Sequence, residues 1–239
     1  ILLTFILLCW NHLFIYATET KTCTDPAQSG ALFSKQNVVT DHADDLYSVV
    51  AGDFNNDGYL DLASAGSSTN TIEWYNNTDG KGTFSNQIVV TTKAIGARSV
   101  VTGDFNNDGI LDLASASENE NTIMLYQNTD GKGIEWTEKV VSVNAKGVSS
   151  IITADFNQDG FFDIASASRS EGTIAWYPYN GGDNSFGKQI ILTSTADRVT
   201  GIAAGDLNSD GFVDVASACS GNGEIAWYQN INGKGDFSK

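Results

Sequence analysis

Apolar and polar residues alternate with period two along much of this chain, and the alternation restarts every 51 residues, the spacing that separates Asp53, Asp104, Asp155 and Asp206. In the first unit the β signals fall at 37–40, 46–53, 60–65 and 71–76, with clusters of Gly, Asn, Ser and Thr between them. No stretch carries the 3.6-residue period of an amphipathic helix. Four short strands in a repeat of this length predict an all-β fold, a β-propeller built of four-stranded blades. The units are 33–83, 84–134, 135–185 and 186–236, and 237–239 begin a further strand. Residues 18–32 read as a linker.

The fourth strand signal reads IEWYN, IMLYQ, IAWYP and IAWYQ, which puts Trp74, Leu125, Trp176 and Trp227 at one equivalent position. Such a row could form a sugar-stacking platform. Packing between blades is the stronger reading, because blades meet face to face and need large apolar groups there, and Leu125 serves that end as well as Trp. The segments 76–82, 127–133, 179–185 and 229–235 follow as hairpin turns, three of them with Asp-Gly or Asn-Gly. Asp79 and Asp130 read as solvated turn residues.

A nine-residue acidic loop precedes each third strand signal: DFNNDGYLD, DFNNDGILD, DFNQDGFFD and DLNSDGFVD. Side-chain oxygens at positions 1, 3, 5 and 9, with glycine at 6, are how a chain wraps a hard cation. The candidate calcium ligands are Asp53, Asn55, Asp57 and Asp61, with the carbonyl of Tyr59 at position 7. Their equivalents are Asp104, Asn106, Asp108, Ile110 and Asp112; Asp155, Asn157, Asp159, Phe161 and Asp163; and Asp206, Asn208, Asp210, Phe212 and Asp214. Magnesium suits such a cage less well, since it holds its waters and demands octahedral geometry. Turn chemistry alone explains Asn-Asp-Gly but not an Asp at position 9 in every copy. EF-hand and dockerin-type loops need an acidic ligand at position 12, where this chain has Ser64, Ser115, Ser166 and Ser217. About four structural Ca²⁺ ions are expected.

Four strands per repeat with a DxNxDGxxD loop between two of them resemble the FG-GAP/VCBS repeat family, whose best-known members are the propeller heads of integrin alpha subunits. The resemblance implies a seven-bladed ring, calcium on its lower face, and an innermost strand at 46–53 with an outermost one near 86–91. It gives an upper face made of loops 41–45, 93–97, 144–147 and 195–198, together with 66–70, 117–121, 168–172 and 220–224. No Gly-Ala-Pro follows the FG-like segment, so the chain resembles the VCBS-type branch and integrin ligand specificity does not transfer. On this face Arg98, Arg169 and Arg198, the only arginines, are candidate ligand-binding residues; ordinary solvated loop charge is the competing reading.

A formal charge of −16 excludes a nucleic-acid binder, which needs a basic patch. Twelve of the 29 acidic residues lie in the four loops, so four divalent ions would halve the net charge and relieve the loops' self-repulsion. Residues 1–17 read as a signal peptide whose start is missing, with an uncleaved anchor as the rival reading. A secreted or cell-surface location follows, and membrane association is expected only through such an anchor or a missing region. Cys23 and Cys219 could form a disulfide, or either could bond a cysteine elsewhere. The functional expectation is a calcium-binding adhesion module for an extracellular protein or glycan, and not an enzyme. The alternative is a lectin or a propeller-type carbohydrate-active enzyme whose catalytic residues lie elsewhere; His12 and His42 join no catalytic set here.

Overall fold

The structure is a computed structural model and describes residues 36–41 and 44–238. Every element among them is a strand. The first antiparallel sheet comprises β1 (Leu46–Gly52), β2 (Asp61–Gly66), β3 (Thr71–Tyr75) and β4 (Ile88–Thr91), in that spatial order. The second comprises β5 (Ala97–Gly103), β6 (Asp112–Ser117), β7 (Thr122–Asn128) and β8 (Trp136–Ser142). In the third, β9 (Val148–Ala154), β10 (Asp163–Ser168) and β11 (Thr173–Tyr177) are followed by a small hairpin, β12 (Tyr179–Asn180) and β13 (Ser185–Phe186), before β14 (Ile190–Thr193) completes the sheet. The fourth has β15 (Val199–Gly205), β16 (Asp214–Cys219) and β17 (Glu224–Tyr228), with an isolated bridge between Asn230 and Phe237 beyond it. These are four blades of a propeller.

Each blade takes its outer strand from the following sequence unit, as β4 shows for the first. The same rule bears on the one strand signal that fails: 37–40 is the equivalent of β4 and would serve as the outer strand of another blade, and no described blade pairs with it. The inner strands β1, β5, β9 and β15 stand side by side. Ser48 stitches two of them. Its hydroxyl accepts from the Val100 amide at 3.2 Å and donates to the Val100 carbonyl at 3.3 Å, so a side chain replaces a strand partner. Ser99 repeats half of this, accepting from the Ile151 amide at 3.2 Å.

The core lies between blades rather than within one. Phe54, Trp74, Val100, Leu113 and Tyr126 fill the first seam; Phe105, Leu125, Ile151, Ile164 and Tyr179 the second; Phe156, Trp176, Ile202 and Val215 the third. The middle strands carry alanines, among them Ala63, Ala65, Ala114, Ala116, Ala165 and Ala167, which are small enough to let the facing sheets bring their large residues together. Three members of the row at position 74 therefore pack rather than stack sugars: Trp74, Leu125 and Trp176 are buried, while Trp227 is half-exposed. The Trp74 indole also donates to the Gly133 carbonyl of blade two at 2.8 Å.

Gly133 is held at φ +69°, and a Cβ there would lie 2.5 Å from the Trp74 ring. Gly235 sits in the same relation to Trp176. Where Leu125 replaces Trp, the turn position is Asn184, whose Oδ1 accepts from Gln127 of the preceding blade at 3.0 Å.

Candidate functional site

The chain runs from each inner strand through the acidic loop into the middle strand, so all four loops lie at one end of the strands. The hairpins after β3, β7 and β11 lie at that end too, and the turns joining middle to third strands lie at the other.

The four acidic loops repeat bond for bond. In the first, Asp53 Oδ1 and Asn55 Oδ1 both accept from the Asp57 amide at 3.1 Å, and Asp53 Oδ2 accepts from the Gly58 amide at 2.8 Å. Asp57 accepts from the Tyr59 amide and from Asn55 Nδ2, each at 2.9 Å. The same contacts recur around Asp104, Asn106 and Asp108, around Asp155, Asn157 and Asp159, and around Asp206, Asn208 and Asp210. Winding this tight needs a left-handed residue at position 4, where Asn56, Asn107, Gln158 and Ser209 stand at φ +56° to +62°. Glycine at position 6, with Gly58 at φ +87°, completes the turn.

Position 9 behaves differently. Asp61, Asp112, Asp163 and Asp214 are fully buried, and each takes backbone N–H groups. Asp61 accepts from the Phe54 amide of its own loop at 3.0 Å and from the Asn77 amide of the hairpin at 2.8 Å. It braces loop to hairpin. Burial pushes the carboxyls of Asp112 and Asp163 up to about 7 and raises that of Asp61, against the lowering effect of the amides. Asp112 Oδ2 has no partner of good hydrogen-bond geometry, the Phe105 amide assisting it only weakly.

Positions 1, 3 and 5 are thus gathered at the surface as two carboxylates and an amide oxygen, while position 9 is drawn inward. Among the described residues no three His, Cys, Asp or Glu side chains converge as a ready-made metal cluster. The donor set is nonetheless all hard oxygen, and the buried Asp112 Oδ2, without a hydrogen bond of good geometry, is the kind of atom that a cation relieves. These residues fit calcium chemically.

The hairpins do more than turn. Asp79 is fully exposed, and the Lys81 amide, ahead of the other donors, holds its carboxyl low, as suits a solvated turn. Asn77, Asn128 and Asn230, however, are buried and cross-linked, a role that the turn signal in the sequence does not reveal. The clue available was spacing: each asparagine follows its position-9 aspartate by 16 residues, and its amide donates to that carboxylate.

On the opposite face the three arginines part company. Arg98 is engaged within the protein: its Nε donates to Glu118 at 2.6 Å, and its guanidinium lies 3.9 Å over the Tyr47 ring. Arg169 and Arg198 are exposed. Arg198 is also left-handed at φ +49°, the position taken by Asp45, Gly96 and Gly147 in the other blades. Lys146 pairs with Glu171 there at 3.1 Å.

Cys219 is buried, forms no disulfide among the described residues, and lies 3.9 Å from Ser217 Oγ. Its candidate partner Cys23 lies outside the described residues, as do 1–17, 18–32, His12, His42 and Lys239. Among the described residues no helix is long and apolar enough to cross a membrane.

A fold of β-propeller blades with a repeated DxNxDGxxD loop defines the class. FG-GAP-like repeats match at 53–115, 104–166 and 155–217, and the chain belongs to that family. No curated protein matches it. Among solved structures it is similar to BBS1N in complex with ARL6DN, soaked with lead: TM-score 0.53, 14% identity, covering 80% of this chain and 54% of that one. The same complex soaked with mercury gives 0.54 and 13%, covering 80% and 55%. The chain therefore spans just over half the length of those propellers, and at this identity the likeness is one of fold.

Proposed function

We propose that this chain is an extracellular, calcium-stabilised propeller that acts as an adhesion module and binds a protein partner through its upper loops. The observation that carries the proposal is the division between the two ends of the blades. At the lower end four loops repeat hydrogen bond by hydrogen bond; at the upper end the same backbone frame presents different side chains in each blade, Arg169, Lys146, Glu171 and Arg198 among them. A surface that varies on a fixed frame suits recognition.

Calcium would be held by the oxygens of positions 1, 3 and 5 with the carbonyl of position 7, and by position 9 insofar as its carboxylate is shared with the brace. It supplies charge neutralisation and order. Loops of this kind need calcium at ~10⁻⁴ to 10⁻³ M, a level met outside cells. The protein partner rests on the surface argument, and the similar BBS1N propeller is itself seen in complex with a protein, ARL6DN.

Thermal unfolding of the full chain in calcium and in excess chelator tests the metal. A midpoint several degrees lower in chelator is expected, by the mass-action stabilisation of a bound state, and an unchanged midpoint ends the calcium reading. Parallel arrays of extracellular proteins and of glycans test the partner. A protein hit weakened by R169E and R198E is expected; a hit confined to glycans, or one indifferent to both substitutions, overturns it.

A further inference from the structure

The hairpin asparagines reach beyond their own blade. Asn128, in blade two, donates from Nδ2 to the carbonyl of Phe54 at 2.7 Å, inside the acidic loop of blade one and between its first two oxygen donors. Its own backbone amide meanwhile donates to Asp112, position 9 of the loop in blade two, at 2.9 Å, and its Oδ1 is fixed by the Gly133 amide at 3.2 Å. One buried side chain thus joins two acidic loops.

Asn230 repeats the arrangement between blades three and four. It donates to the Phe156 carbonyl at 2.7 Å, while its amide donates to Asp214 at 2.8 Å and its Oδ1 accepts from Gly233 at 3.1 Å.

Between blades two and three the bridge is missing. Tyr179 occupies the asparagine's position and still donates its amide to Asp163, at 2.8 Å, but its ring packs edge-on against Phe105 instead of bonding the carbonyl there. Directly between those two acidic loops there remains one exposed bond, Asn107 Nδ2 to the Gly160 carbonyl at 2.9 Å; the other bonds across the seam, Gln127 to Asn184 and Ser99 to Ile151 among them, join strands and hairpin without touching either loop. A similar exposed bond, Gln158 to the Gly211 carbonyl at 3.0 Å, adds to the buried bridge between blades three and four. Buried hydrogen bonds in a low-dielectric seam transmit order better than solvated ones, because losing them leaves a polar group unsatisfied.

We infer that the four loops take up divalent cations as two coupled pairs, blades one with two and three with four, with Asn128 and Asn230 as the couplers. The inference rests on the calcium reading above. Ordering the first loop fixes the Phe54 carbonyl, which fixes Asn128, which holds Asp112 where the second loop needs it. By reciprocity the second loop favours the first equally.

The test counts calcium bound to the full chain by native mass spectrometry across a calcium titration. For the unaltered chain, species with two and four ions are expected to exceed those with one and three. The double substitution D104N/D108N disables loop two at exposed positions. It should weaken the intact loop one by about 5–150-fold, the usual range of coupling between sites, so that two ions are lost at limiting calcium. N128A should give the same uncoupling with all ligands intact. If N128A fails to fold, D104N/D108N alone decides. Loss of one ion with the other three affinities unchanged overturns the coupling and leaves the calcium reading standing. An unaltered chain that binds no calcium overturns both.

Discussion

The same four residues, IAWY, end the third strand of blade three and the third strand of blade four, and they meet different fates. Trp176 pairs with Ala165 and is 4% exposed; Trp227 pairs with Ala216 in the same register and is 47% exposed, beside Ile225 at 84%. Local sequence and pairing with the middle strand are matched, so neither decides burial; β11 alone has a described outer strand, β14, on its other edge, where Trp176 pairs with Ile190. The neighbours decide it. Trp176 lies under the turn of blade four at Gly235 and against Phe237, whereas no described blade covers Trp227. Stability in this fold is accordingly a property of seams, summed along the row of blades as in other repeat architectures.

The largest effect that could break this comparison comes from the two tryptophans themselves. Trp176→Ala is expected to cost about 3–5 kcal/mol, as emptying a packed aromatic site does, and Trp227→Ala less than about 1 kcal/mol in this chain. Urea unfolding of the two variants measures both, and equal losses would mean that seams do not carry the stability.

Next come the turns that cover a tryptophan or do not. Gly235 and Gly82 occupy one position in the repeat, at φ +79° and +94°. A Cβ at Gly235 would come within 2.0 Å of the Trp176 ring, while none of the surroundings of Gly82 lies within 4 Å of one. Gly82→Ala should cost about 1–2 kcal/mol, for the left-handed backbone alone. Gly235→Ala should cost about 2–4 kcal/mol, since overpacking adds to the same strain. The difference in denaturation midpoint isolates the neighbour's share.

The smallest effect carries the opposite sign. Arg198 holds a left-handed conformation where blades two and three have glycine, so Arg198→Gly should stabilise the fold by about 0.5–1 kcal/mol. If it also weakened partner binding, the arginine would be retained at that position for recognition.

Much of this architecture was legible in the sequence, for a physical reason: a blade is a local pattern, and a pattern repeated four times averages out accidents. The acidic loops, the alternating strands and the burial of Trp74 and Leu125 could be read from it. The residues 37–40 carry a genuine β pattern, yet a strand exists only beside a partner, and no described blade serves them as one. The asparagine bridges were hidden for a related reason. Asn128 sits in a segment that looks like a solvated turn, and its partner Phe54 is 74 residues away. Arg98 too looked free until Tyr47 and Glu118, from two other elements, closed on it. One match between distant positions could have been found: glycine at 133 and 235 accompanies tryptophan at 74 and 176, and Asn184 accompanies Leu125.

The serine stitches along the axis change what the innermost strands expose. An inner strand has one edge paired with its blade and the other turned toward the axis, and such an edge ordinarily invites another chain. Because Ser48 both accepts from and donates to Val100, and Ser99 accepts from Ile151, those amides should exchange with deuterium as slowly as amides paired within a sheet. At Val100 and Ile151 the axial edges of β5 and β9 are thereby closed to another strand.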